Sequence, residues 1–239
     1  MEGHLQTLKN KTFSKLLLIL ILMSGMSLPL LAQTPSVVRN IRLPLWAELD
    51  AYPGLELSTD AEGGQFDFPI SQMHKIAPLI INGMVYGWNF VYVPYDKARG
   101  VEEYLEITEI VSQEVIRGGI KYSSPWIENN NLNCWVEYTR TDSQVQSYNL
   151  WASIQNPVIG GIGYGSVEKG FEGIEEAVRE SLKEAIRNYY RKTIKNKPKE
   201  ITGSVLIRKF PTMGIDSGRY VINLDFFLEC GRIVEYSVY

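Results

Sequence analysis

From Tyr220 to Cys230 every second residue is apolar: Tyr220, Ile222, Leu224, Phe226, Leu228 and Cys230. Asn223, Asp225 and Glu229 fall between them. Strict alternation over this length is the signature of a β-strand buried on one face, because successive side chains point to opposite sides of the pleat. A chain built around such a strand must cover that face with another layer. Ser204–Phe210 reads as its hairpin partner, with Pro211–Gly218 as the turn and Gly231 leading into a last strand, 232–239.

The covering layer is legible just upstream. Phe171, Ile174, Val178, Leu182, Ile186 and Tyr189 recur at spacings of three and four, which places them on one stripe of a helix. Glutamates fill the first half (Glu172, Glu175, Glu176, Glu180, Glu184), and Arg187, Arg191, Lys192 and Lys195 fill the second. That order complements the helix dipole. The pattern predicts one long amphipathic helix over about 167–195.

Before the helix, 133–139 and 146–154 read as a second hairpin around Thr141-Asp-Ser143, with Cys134, Val136 and Tyr138 on one face. Met84–Val93 alternates as a strand with Tyr86, Trp88, Phe90 and Tyr92 together, and 103–110 reads as the returning strand. Residues 33–82 are the least regular, with a short strand around Leu43–Leu49 that carries Pro44. The fold expected is α+β: an antiparallel sheet built from hairpins with the long helix packed on one face. It forms a single domain over 33–239, whose core 83–239 runs hairpin, helix, hairpin.

Residues 1–32 read as a cleaved export signal. Lys9, Lys11 and Lys15 precede the apolar run Leu16–Met23, and Ala32 ends a softer stretch. The strong run is shorter than the roughly 20 apolar residues that a spanning helix needs. Cleavage after Ala32 leaves Gln33 where a lipoprotein would carry cysteine, so no lipid anchor is expected, and no membrane span follows. The expected location is the periplasm or the exterior.

Cleavage removes three lysines and Glu2, which takes the net charge from −3 to −5, and removes His4, which leaves His74 as the only histidine. A mildly acidic chain has no general attraction for nucleic acid or anionic lipid. A single histidine rules out a metal site with two histidine ligands from one chain. The two cysteines, Cys134 and Cys230, fit either one disulfide or two free buried thiols.

No cofactor is expected. Gly160-Gly-Ile-Gly-Tyr-Gly165 lacks both the dinucleotide spacing and the Gly-Lys-Ser/Thr of a P-loop, and reads as a flexible crossover. No catalytic residues are assigned. Glu102, Glu103, Glu106 and Glu109 could pair for glycoside hydrolysis but read as a solvated face, and the basic end of the helix, Arg187–Lys199, could hold an acidic partner but reads as dipole complement and solvation. His74 with Cys134 is the combination that a hydrolase would use. The aromatic residues Tyr86, Trp88, Tyr92, Trp135 and Trp151 are the candidates for ligand or partner binding, the last two as a cross-strand pair. The leading expectation is an exported non-catalytic module that contacts an envelope protein, by analogy of fold with envelope and motility accessory proteins. A periplasmic small-ligand or carbohydrate binder using the aromatic strand face is the alternative, and a hydrolase the second.

Overall fold

The computed structural model describes residues 39–50, 64 and 66–236. The expected export signal and its cleavage point lie outside these residues. Among the described residues nine strands form two antiparallel sheets. The smaller has the order β1–β5–β4, from β1 (Asn40–Glu48), β4 (Lys121–Glu128) and β5 (Asn131–Thr139). The larger runs β3–β2–β7–β9–β6, from β2 (Trp88–Val93), β3 (Tyr104–Glu109), β6 (Val158–Ser166), β7 (Glu200–Ile207) and β9 (Arg219–Val234). Beside β7, the short β8 (Thr212–Asp216) also pairs with β9. The helices among the described residues are α1 (Asp67–Val85), the single turn α2 (Glu114–Arg117), α3 (Asp142–Trp151) and α4 (Phe171–Thr193). The fold is therefore α+β with antiparallel sheets, as the sequence predicts, but with two sheets instead of one.

The alternating strand forms as read, with Ile222, Leu224, Phe226 and Leu228 fully buried. It does not turn at Gly231 but continues to Val234. A register shift opposite Ile201–Gly203 interrupts the alternation there. Cys230, just before that shift, is exposed, and its thiol lies against Tyr189 and Tyr190 of the long helix, on the face read for it.

The long helix also forms as read. The glycine run before it is not a flexible crossover: it is β6, the edge strand beside α4. Gly161, Gly163 and Gly165 alternate inward against Gly173, Ala177, Ser181 and Ala185 of α4. Two residues of strand rise about 6.7 Å and four of helix about 6 Å, so the two small-residue rows stay in step. A Cβ at Gly163 would stand 1.8 Å from the Ala177 carbonyl oxygen. The free edge of β6 is occupied by the helix: Ser181 Oγ donates to the Gly161 carbonyl at 2.7 Å, and Ile162 N–H donates to Glu184 at 2.6 Å.

Two other readings are corrected. Residues 142–151 are helix α3, not the second arm of a hairpin. Thr141 accepts from Gln144 N–H, and the Gln144 amide oxygen accepts from Thr141 N–H, a capping box that starts a helix where a turn was expected. The true partner of β5 is β4, joined through Asn129 and Asn130, both at positive φ.

The second correction is α1, which lies in the stretch read as irregular. From Ile76 to Val85 it is buried all round, packed against β1 and β5 on one side and β7 on the other. A helix covered on every side has no polar stripe, so its sequence shows no 3.6-residue period. Pro78 lies inside this helix. Proline in a helix interior leaves the carbonyl four residues back without its donor, and here Arg117 Nη1 donates to the His74 carbonyl at 3.3 Å. At the other end, the buried Arg140 donates to the Met84 carbonyl at 2.7 Å, a cation at the negative end of the helix dipole.

Candidate functional site

The first turns of α1 and the bulged strand β4 enclose an apolar groove of about 470 Å³. Phe66, Ile70 and Met73 form one wall, with Tyr122, Trp126 and Ile127 opposite. The register shift between Ser123 and Trp126 turns this part of β4 out of regular pairing with β5. Ile127 is 56 % exposed and Ile70 42 %, values that leave large apolar side chains in contact with water. Trp126 is braced from behind by Trp135, ring centres 6.0 Å apart, and Trp135 is covered in turn by the Arg42 guanidinium at 4.4 Å.

His74 and Cys134 line this same groove. The imidazole stacks against Tyr122 at 4.7 Å. Burial pushes the Cys134 thiol up to about 11, and its sulfur contacts Met73 Sδ at 3.5 Å. A nucleophilic cysteine needs its pKa lowered toward neutrality, so this thiol stays protonated. Burial likewise pushes the Tyr122 phenol up to about 12. The lining of the groove is mostly apolar.

The five aromatic candidates do not converge. Trp88 is a core residue against Phe226 and the α1 Gly83. Tyr86 caps α1, and its hydroxyl accepts from Gln144 Nε2 at 2.8 Å. Trp135 reaches the groove only through Trp126. Trp151 ends α3, so it cannot form the cross-strand pair with Trp135. The Cys134–Cys230 disulfide is not formed: Cys134 is buried in the smaller sheet, Cys230 is exposed on β9, and both are free.

Tyr92 alone sits in a different hollow, of about 610 Å³, beside the end of α4. Its ring is buried and its hydroxyl donates to Glu103 Oε1 at 2.6 Å. Arg187 Nε donates to the same oxygen at 2.7 Å, while its Nη2 engages Oε2. Burial works to raise the Glu103 carboxyl, but the Arg187 and Tyr92 hydrogen bonds outweigh it and hold the group below the usual carboxylate range. Burial, then Glu103, push the Tyr92 phenol far up, so it remains a donor.

Sequence reasoning missed Glu103 because its neighbours Glu102, Glu106 and Glu109 are exposed, and its bonds to Tyr92 and Arg187 set it apart. It also missed Trp126, whose flanking residues show no alternation because β4 is bulged.

Among the described residues no group of three His, Cys, Asp or Glu side chains is placed to hold a metal ion, and no helix is long and apolar enough to cross a membrane. A protein of Treponema pallidum (strain Nichols), itself uncharacterised, is 27 % identical over 205 residues, spanning 84 % of this chain and 83 % of the relative. No solved structure matches the chain. The model of an uncharacterised protein family matches residues 27–236, nearly the whole chain, and the protein belongs to that family.

Proposed function

We propose that the protein is an exported, non-catalytic module of the bacterial cell envelope that holds a protein partner in the groove between α1 and β4. The observation that carries this reading is the ring of Phe66, Ile70, Tyr122 and Ile127, all exposed, around a cleft floored by Met73 and Trp126. Aromatic residues and methionine with little charge are the composition of an interface core. Trp126 is held by Trp135 and by an Nε1–H bond to Glu128 at 3.2 Å, so it is presented as a fixed anchor. The occupant that fits is an apolar side-chain row of an envelope protein, docking on surface that water leaves unsatisfied. The basic and then apolar start of the chain, ending at Ala32, supports export.

The test is a photo-crosslinking side chain introduced at Ile127 in cells making the full-length protein. A reproducible adduct with one envelope protein, lost on Trp126→Ala, is the expected result. Adducts only within the chain, or none, refute the partner. Fractionation with N-terminal sequencing checks export, and an uncleaved cytoplasmic chain refutes it.

A further inference from the structure

The hollow beside the end of α4 has a charge pattern that the fold does not require. Arg187, Arg191, Lys195 and Lys197 line it, with Glu103 as the sole carboxylate. Glu103 is already committed, both oxygens bonded to Arg187 and one also to Tyr92. The nearby Asp96 is bonded to Arg99 at 2.7 Å and further stabilised by Lys197. Among the described residues Arg191, Lys195 and Lys197 form no salt bridge, and all three are exposed.

Dipole complement does not account for Lys195 and Lys197. The negative end of a helix amounts to about half a charge and its influence fades within the last turn. Arg191 and Lys192 already lie in the last turn of α4, and Thr193 Oγ1 donates to the Tyr189 carbonyl there at 2.8 Å. Lys195 and Lys197 stand beyond the helix, on the loop that closes the hollow. Its floor is apolar, with Tyr92, Tyr190 and Ile201 buried, and Tyr95, 47 % exposed, stands at the rim. A volume of about 610 Å³ suits a small molecule.

We infer that this hollow binds a small organic anion, a phosphate or carboxylate carried on a ring or other apolar body. The anionic group meets Arg191, Lys195 and Lys197, with Arg187 held in place behind them by Glu103. The body lies on the tyrosines, where flat faces stack. None of these residues lines the α1–β4 groove, so the site is independent of the partner reading.

The test uses the full mature chain and phenyl phosphate, followed by titration calorimetry at low salt. A saturable one-to-one isotherm with a Kd below about 1 mM is expected, weakening as salt is raised. Arg191→Ser with Lys195→Ser removes two exposed cations and should lower affinity about tenfold or more, with a melting temperature close to that of the control that follows, which also loses one cation from the last turn of α4. Lys192→Ser with Lys121→Ser makes the same change in net charge away from the hollow and should leave affinity unchanged. Co-sedimentation with phosphatidylglycerol vesicles, lost in the first double variant and competed by phenyl phosphate, would identify a lipid headgroup as the source. Binding of phenyl phosphate without vesicle retention would identify a soluble anion. No binding of either probe, or equal losses in the two double variants, overturns the site.

Discussion

Replacing Gly163 by alanine is the sharpest test of how β6 and α4 fit together. The added Cβ would lie 1.8 Å from the Ala177 carbonyl oxygen and 2.4 Å from Ser181 N. Ordinary contact begins near 3.4 Å, so the shortfall is about 1.6 Å against helix backbone, which has no rotamer to yield. Either α4 lifts or β6 bends. Lifting α4 also opens its contacts at Gly161 and Gly165, and it breaks the buried Ser181–Gly161 hydrogen bond. Overpacking costs about 3 kcal/mol at the upper end of its usual range, and the lost hydrogen bond about 1 kcal/mol more. A total near 4 kcal/mol is a large share of the 5–15 kcal/mol that stabilises a typical domain. In urea, with a slope of about 2 kcal/mol/M, the midpoint should fall by about 2 M at unchanged slope. Gly160 and Gly214 are internal controls. Alanine at Gly160 meets the Asp225 carboxylate closely, a side-chain end that can step aside, and the Leu224 carbonyl oxygen at an ordinary 3.6 Å, and at Gly214 it meets nothing within 4 Å. Both should shift the midpoint by less than about 0.5 M. If Gly163→Ala unfolds at the same urea concentration as Gly160→Ala, the close approach of β6 to α4 is not what the glycines serve.

Glu103→Gln should cost about 1 kcal/mol at neutral pH, allowing for partial exposure and screening of the Arg187 pair. The sign follows from the depressed carboxyl: its stabilisation is complete above the unfolded value of about 4.3 and is lost as pH falls through the lower folded value. Urea midpoints of wild type and variant should therefore converge in acid, and a gap that stays constant with pH refutes the ion pair. Native alkylation followed by mass spectrometry should label Cys230 alone, with Cys134 reacting only on unfolding and reductant making no difference. A reductant-dependent second label would restore the disulfide. Gln144→Ala strips the Tyr86 and Tyr138 hydroxyls of their amide partner and removes half of a capping box. It should cost about 2 kcal/mol in thermal or urea melts, and a neutral result would show that water replaces the amide.

Periodicity was enough wherever one face of an element meets water. The strand from Tyr220 to Leu228 and the helix from Phe171 to Thr193 are readable because burial on one side alone imposes a repeat of 2 or 3.6 residues. Those two elements already require an α+β fold with antiparallel pairing. The same logic fails where burial is complete or where small residues do the packing. The second half of α1 has no wet face, so Ile76–Val85 carries no period, and the His74 carbonyl that Pro78 frees is taken by Arg117, distant in sequence. Gly161, Gly163 and Gly165 read as flexibility, because a glycine's role depends on what stands opposite it, and α4 is what stands opposite. The sites divide in the same way. Local sequence offers the aromatic residues and the basic end of α4. Only the tertiary structure joins Trp126 to α1 across the groove, removes Trp88 into the core, and commits Glu103 to Arg187 so that three neighbouring cations are left facing one hollow. These are contacts between residues far apart along the chain, and a one-dimensional pattern holds no record of them.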